Sequence, residues 1–406
     1  MNVKPVSGFF LKKIVLFILF FYSFFSLSAE EFYYKHRTGD QYRILSTVTQ
    51  DVYINNRLSH RAEIINRIAV EVPSVEGDSG NIRAVFHTAE AAVGNNANFH
   101  WSREYVSEFR RDRLGYLSID SRLYMPVVRD VPVFPNRDLK PGDTWAADGY
   151  EVYDFRDSFG IAEPYRIPFT AFYHYLGERE WNGKMYPAFS VTYNILYNAP
   201  AVRGRVWPSR IQGSTDQIFF WDSELGLSPV SEGTFRMIIT LSDGNTAEYR
   251  SRSFSYIIDA PVMDKQTIAD EVLESIERLE IPGATVRIEE AGVTISIENI
   301  QFPANSSLLL SEEKLKIDKL IEILLHYPER DILVSGHTAL AGTREMRDQL
   351  SLERAQSVAN YLMERNVRTP ERVMVQGFGA DRPVADNNTE AGMQRNRRVE
   401  ITILEN

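Results

Sequence analysis

The chain contains no cysteine, and this absence excludes several kinds of chemistry. Disulfides, thiolate metal ligands and a cysteine nucleophile all need that residue. A lipid-modified N-terminal cysteine is excluded too, so attachment to a membrane would need another route. The rest of the composition is globular, because 44% of the 406 residues are apolar and 25% are charged. A length of this order predicts two or three domains.

The chain also lacks an excess of positive charge. Its formal net charge is −10, whereas proteins that bind nucleic acid usually present basic surfaces. We therefore predict no nucleic-acid partner.

Recognisable catalytic motifs are missing as well. The sequence has no Gly-x-Ser-x-Gly and no phosphate-binding loop. Its seven histidines are scattered, and no two have the i, i+4 spacing of a helical zinc pair. We predict a protein that is not an enzyme, with no metal, no cofactor and no catalytic residue. A hidden pair of carboxylates, as in glycosidases, stays open as an alternative.

A secretory signal is predicted for residues 1–29. Three lysines, the last two at Lys12 and Lys13, precede an apolar run over 14–27, and small residues follow at Ser28 and Ala29. The alternative is a membrane anchor, but the run is shorter than the roughly 20 residues that span a bilayer. The mature chain would begin outside the cytoplasm.

Residues 30–260 predict a β-rich domain of unknown function. Stretches such as 42–54, 63–72 and 235–241 are rich in Val, Ile, Thr and aromatic residues, and turn residues separate them. Short strands at this spacing favour an all-β sandwich or barrel-like domain. A lipid-spanning arrangement is the less favoured alternative, because 247–256 places Glu248, Arg250 and Arg252 on one face.

A linker helix is predicted over 261–284. It opens at Asp264, carries Ile268, Val272 and Ile276 at intervals of four, and closes before Pro282.

Residues 285–406 change to an α+β pattern, a two-layer βαβαββ arrangement with the helices on one face. Ser311 is predicted to cap the first helix. The strands are expected at 293–302, 331–336, 372–379 and 397–404, and the helices begin at 311 and 343.

Several motifs stand in order in this region: Gly336-His337-Thr338, Leu350-Ser351, Arg354-Ala355, Gly377-Phe378-Gly379 and Asn396-Arg397-Arg398. In this order and spacing, the region resembles the OmpA-like peptidoglycan-binding domain, a module also found in Pal lipoproteins and flagellar stator B proteins. The resemblance runs from about Val293 to the C-terminus.

The resemblance implies non-covalent binding of the peptidoglycan stem peptide at its diamino acid. Arg354 would hold a carboxylate, a role that suits a guanidinium because it donates two parallel hydrogen bonds. Asn396 and Arg397 would support the site. Thr338, in the matched turn, completes the set, and His337 is expected to order that turn rather than to catalyse.

Two positions depart from the family pattern. The residue after His-Thr, where the family has an Asp that faces the ligand's amino group, is Ala339, and a position that is usually Asn is Arg347. Loss of one charged hydrogen bond predicts binding weaker by about 10- to 100-fold. Three interpretations stay open: a different diamino acid, weaker binding of the usual one, or a retained fold without a ligand.

The resulting expectation is a cell-envelope protein of the periplasm or outer membrane. Its C-terminal domain would bind peptidoglycan, and its β domain would meet the outer membrane or a periplasmic protein partner. An interaction or scaffold module with weak or altered wall binding, because of Ala339, is the alternative. A stator role is disfavoured, since 14–27 contains no acidic residue to carry protons.

Overall fold

A computed structural model of the protein describes residues 30–93, 98–102, 104–202, 204–258, 263–298, 302 and 306–405. The predicted signal peptide, residues 1–29, lies outside the described residues. No helix in the described part of the chain is both long enough and apolar enough to span a membrane.

In its described residues, the N-terminal region has thirteen strands and one short helix. They are β1 Gln41–Ile54, β2 Arg57–Glu76, β3 Ser79–Ala92, β4 Phe99–Trp101, β5 Tyr105–Arg111, β6 Leu117–Ile119, β7 Val128–Arg129, β8 Thr144–Tyr153, α1 Arg156–Phe159, β9 Tyr165–Trp181, β10 Lys184–Asn198, β11 Pro208–Asp222, β12 Leu227–Leu241 and β13 Thr246–Ile258. This agrees with the predicted β-rich class.

Hydrogen bonds join twelve of these strands in one antiparallel series. The order is β6-β5-β3-β2-β1-β13-β12-β11-β10-β9-β8-β7. The pairing of β1 with β13 joins the first and last long strands of the region. The pairings form one continuous series, which is compatible with both a sandwich and a barrel-like arrangement. Each of the two therefore stays a prediction.

Strict alternation explains how these strands build a core. Along β9 every second side chain from Tyr165 to Tyr175 is buried and the intervening ones are exposed. Such a period of two gives a strand one apolar face. The buried faces of β9, β10 and β11 enclose an aromatic cluster that includes Phe134, Phe189 and Trp221.

The C-terminal region is a two-layer α/β unit. Its elements are α2 Lys265–Arg278, β14 Ala284–Glu289, β15 Gly292–Glu298, α3 Ser311–Leu324, β16 Ile332–Gly336, α4 Arg344–Glu364, a 3-10 turn Pro370–Arg372, β17 Val373–Gly377, α5 Glu390–Asn396 and β18 Arg398–Leu404. The sheet order is β14-β15-β18-β16-β17; β16 and β17 are parallel, and the other three pairings in this order are antiparallel. The predicted βαβαββ order is present, with β14 and α5 in addition.

Helix α2 packs as part of this C-terminal unit. Asp264 caps it by accepting a hydrogen bond from Thr267, as its N-cap position favours. Val272 and Ile276 are buried in the same core as the strands β15, β16 and β18. The predicted linker helix therefore connects the two regions along the chain, and its apolar face is buried in the C-terminal core.

The predicted cap of α3 is wrong. Ser311 is the first helical residue, and the cap position is Leu310, which offers no side-chain hydrogen bond. Acidic residues in the first turn, Glu312 and Glu313, are present as predicted and interact favourably with the helix dipole.

Candidate functional site

The matched Gly-His-Thr motif forms the turn between β16 and α4. His337 N donates to Arg398 O at 3.0 Å, and Thr338 N donates to Gly379 O at 2.8 Å. Thr343 then caps α4 by accepting from Met346 N at 3.3 Å. The turn is thus tied to the ends of two neighbouring strands before the helix begins.

Close contact between α4 and the sheet explains why glycine and serine occupy the matched positions. A Cβ on Gly336 would lie 1.9 Å from the carbonyl oxygen of Ser351, and one on Gly377 would lie 2.6 Å from Leu352 N. The Ser351 hydroxyl accepts from Gly379 N at 2.9 Å and donates to Asp348 O at 2.8 Å. Small residues therefore let the helix backbone rest directly on the strands.

Gly336→Ala is expected to destabilise the C-terminal unit by about 3 kcal/mol or more, because α4 would have to move off the sheet. Chemical denaturation followed by circular dichroism would measure the loss. Ala341→Ser, in the same turn and exposed, is the matched control and should change stability by less than about 0.5 kcal/mol. Equal stability of the two variants would contradict the close-contact explanation.

Arg354 presents a buried positive charge without a carboxylate partner among the described residues. It is 7% exposed. Its Nε donates to Ser306 O at 3.3 Å, and its guanidinium carbon lies 4.9 Å from the centre of the Phe302 ring. Burial lowers the pKa of Arg354, and the charge of Arg397 lowers it further. A buried charge of this kind is stabilised when an anion binds.

Arg397 and Arg347 contribute differently to the surroundings of Arg354. Arg397 is half-buried and forms an ion pair with Glu390 at 2.9 Å. Arg347 donates from Nη1 to Gly342 O at 2.6 Å, which ties it to the turn before α4. The positive charge that acts on the pKa of Arg354 is that of Arg397, and Arg347 holds the turn.

Asn396 is wholly buried, and its side-chain amide forms hydrogen bonds with other residues of the protein. Its Oδ1 accepts from Val384 N at 2.8 Å and Ala385 N at 3.0 Å. Its Nδ2 donates to Ala385 O at 2.8 Å and to Asn387 Oδ1 at 2.9 Å. Asn387 in turn accepts from Leu340 N at 3.0 Å. Asn396 therefore positions the loops around the turn.

Thr338 and Ala339 follow the end of β16, and both are buried. Ala339 is 4% exposed and Thr338 is 6% exposed. The Thr338 hydroxyl has no hydrogen-bond partner in the described part of the chain. The position at which the resemblance places an acidic contact is thus a buried methyl group beside an unused hydroxyl.

An ion network under the turn holds His337. Its Nε2 lies 3.3 Å from Glu400 Oε2, and its ring stacks on Phe378 with centroids 5.2 Å apart. Glu400 also accepts from Arg398 and from Arg287, each at 2.7 Å. Burial alone would raise the pKa of Glu400, but the hydrogen bond and charge of His337 and the two arginines lower it overall.

The pKa of His337 is lowered, because burial disfavours its charged form more than Glu400 favours it. The unfolded chain therefore binds a proton before the folded one does, and the stability of the turn should fall as pH falls below the ordinary value of 6.5. Hydrogen exchange of the β18 amides at pH 7.5 and 5.5 would measure this. His337→Gln should show a smaller pH effect; an equal one would contradict the assignment.

Among the residues that the structure describes, no group of three or more His, Asp or Glu side chains is arranged to hold a metal ion.

Sequence reasoning missed the inner contacts of this site. Ser306 O and the Phe302 ring, which contact Arg354, carry no motif of their own. Ser351 and the glycines were matched as a pattern, but their role in bringing α4 onto the sheet depends on distances between segments.

The geometry defines an α/β domain in which a buried arginine, Arg354, has no carboxylate partner among the described residues. Residues 301–397 match the model of the OmpA family, and the C-terminal part of the chain is an OmpA-like domain.

Individual relatives match about a quarter of the chain. Outer membrane protein Omp38 of Acinetobacter baumannii is 39% identical over 102 residues, which are 25% of this chain and 29% of that protein. The peptidoglycan-associated lipoprotein of Buchnera aphidicola is 31% identical over 99 residues, which are 24% of this chain and 57% of that protein. The structure of the cell wall anchor of the T6SS from Pseudomonas aeruginosa is 25% identical, with 35% of this chain and all of that one covered and a TM-score of 0.30. The chain therefore spans less than a third of Omp38.

Proposed function

We propose that this chain is a non-enzymatic cell-envelope protein that binds peptidoglycan through its OmpA-like domain. The observation that carries the proposal is the buried guanidinium of Arg354, which has no carboxylate partner within the described residues. A carboxylate of the stem peptide would supply the missing negative charge. The Buchnera aphidicola relative is named a peptidoglycan-associated lipoprotein, which supports the same ligand.

Each of the site residues would have its own role in binding the stem peptide. Arg354 holds the carboxylate, and Arg397 adds positive charge nearby. Thr338 offers its unused hydroxyl to the ligand, while Arg347 and Asn396 hold the surrounding loops. Ala339 would leave the ligand's amino group without an acidic partner. The alternative is therefore an interaction or scaffold module whose wall binding is weak or of altered specificity.

The β-rich region would connect the wall to the outer membrane or to a periplasmic protein partner. An exported chain of this kind would reside in the periplasm or at the outer membrane, and Omp38 is named as an outer membrane protein. Cross-linking of the full mature chain in cells should then recover an envelope protein attached through residues 30–260. Recovery of cytoplasmic proteins alone would contradict this location.

Co-sedimentation with purified sacculi tests the central claim. The mature chain should pellet with sacculi and stay soluble without them. Arg397→Ala should weaken binding, whereas Arg365→Ala, which removes an exposed arginine paired with Asp318 at the far end of α4, should bind like the wild type. A wild-type chain that stays in the supernatant would refute wall binding.

A further inference from the structure

A cavity of about 900 Å³ lies between the β-rich region and the OmpA-like domain. One wall is the face of β1, β2 and β3 that is turned toward the C-terminal unit. The other wall comes from the start of α2, the turn before β15, the start of β16 and the residues around Arg372 and Glu405. This interdomain cavity falls within the size range of small-molecule binding sites, about 300–1,000 Å³.

The two regions meet firmly beside this cavity. Strand β4 pairs with β3 on one side and, in parallel, with β17 on the other. Side chains from both regions form one apolar cluster, in which Ile65, Phe99 and Trp101 pack with Leu333, Met374 and Leu404. The cavity is therefore part of a packed interface.

Apolar side chains line the interdomain cavity on both sides. Leu45 on β1, Val85 on β3 and Ile258 on β13 line it, and Met263 lines it from the opposite side. An extended alkyl chain would cover these side chains and remove them from water, which is favourable in proportion to the area buried.

Two buried arginines, Arg43 and Arg67, lie together in the wall formed by β1, β2 and β3. Leu45 is opposite Arg67 and Arg43 is opposite Ala69 in the ladder of β1 with β2, so the two arginines are diagonal neighbours on one face. They are 7% and 8% exposed. Arg43 Nε and Arg67 Nη1 are buried and have no hydrogen-bond partner in the described residues. Each guanidinium group therefore keeps one buried donor without a partner.

Beside these arginines, four cations share two carboxylates. Glu405 pairs with both Arg43 and Lys265, and Asp331 pairs with both Arg67 and Arg372. The cavity is also lined by Arg83 and by five further acidic residues, all half-buried or exposed: Glu63, Glu71, Asp264, Glu290 and Glu371. An anionic group beside Arg43 and Arg67 would meet two donors without a partner and four cations that share two carboxylates.

We propose that the interdomain cavity binds a single-chain lipid with an anionic head, a carboxylate or a phosphate. Arg43 and Arg67 donate hydrogen bonds to the head group, and the alkyl chain lies along β1, β2 and β3. This site is separate from Arg354, so the proposal does not depend on wall binding.

Calorimetric titration of the mature chain tests the ligand class. Dodecanoate and dodecyl phosphate, below their micellar concentrations, should bind saturably with one site, and their relative affinities distinguish the two heads. Dodecyl maltoside, which has the same chain and a neutral head, should bind at least about 10-fold more weakly. Inorganic phosphate alone should not bind measurably. Absence of saturable binding, or equal affinity for dodecyl maltoside, would overturn the proposal.

Variants locate the site. Arg43→Met and Arg67→Met should each weaken dodecanoate binding by about 10-fold or more. Ala69→Phe, which fills the cavity from a half-buried position, should block binding and covers the case in which an arginine variant does not fold. Arg61→Met removes an exposed arginine paired with Asp51 outside the cavity and should bind like the wild type. Wild-type affinity in a folded Ala69→Phe chain would place the lipid elsewhere and refute the assignment.

Discussion

Replacing Arg354 with methionine is expected to weaken sacculus binding by about 10- to 100-fold while the fold is retained. Methionine keeps much of the apolar stem and removes the charge. Arg354 has no ionic partner within the described residues, and its side chain makes one hydrogen bond of 3.3 Å to a backbone oxygen. Removal of an uncompensated buried charge should therefore leave the free energy of unfolding unchanged or raise it.

The opposite outcome is expected at Arg368, which makes the matched control. Arg368 is also 7% exposed, but its guanidinium donates to the backbone oxygens of Arg330, Val367, Leu324 and Tyr327. Arg368→Met should lower the free energy of unfolding by about 2–4 kcal/mol, because these oxygens lose their donor. The folded fraction should bind sacculi like the wild type.

Together the two arginines separate a ligand-binding charge from a structural one. Sedimentation with sacculi gives the affinity, and denaturation gives the stability. If Arg354→Met binds sacculi as well as the wild type, or destabilises the fold as much as Arg368→Met does, the assignment of Arg354 as the carboxylate-binding residue is wrong.

Ala339→Asp is expected to strengthen binding of a diaminopimelate-containing stem peptide by about 10- to 100-fold. The new carboxylate would face the amino group that the present site leaves without an acidic partner. Ala339 is 4% exposed, so the charge would lie where water screens it poorly and the interaction is strong. The same burial should lower the stability of the ligand-free variant, because an unpaired buried carboxylate is costly.

Titration with soluble stem peptides would measure the change at Ala339. Ala339→Asn has nearly the same shape without the charge and should gain little. A stem peptide whose side-chain amino group is acetylated should lose the advantage in Ala339→Asp. Unchanged or lower affinity of the aspartate variant for the free amine would indicate that the native ligand carries a different diamino acid.

The C-terminal domain was predictable because its signals are local. Alternation and apolar spacing place β16, α4 and β18 within a residue or two of their observed bounds. The Gly-His-Thr, Leu-Ser and Asn-Arg-Arg motifs identify which segments meet. The cap of α3 was not predictable in this way, since a serine at the first helical position and one at the cap position look alike in the sequence.

The arrangement of the β-rich region was less accessible, because a strand's pattern shows which face is buried and not which strand lies beside it. Strand β1 pairs with β13 across the whole length of the region. Helix α2 is a second example. The spacing of its apolar residues predicts which face is buried, but it does not predict that the C-terminal core covers that face.

The secondary structure of the C-terminal domain, its resemblance to the OmpA-like module and the alanine at position 339 can be read from the sequence alone, because each is a property of neighbouring residues. Three other features follow from contacts between distant segments. Arg354 is buried without a carboxylate partner among the described residues, Asn396 hydrogen-bonds the surrounding loops through its amide, and Arg43 and Arg67 lie beside a cavity. Burial and pairing depend on segments distant in the chain, and the free energy of a charge depends on what surrounds it.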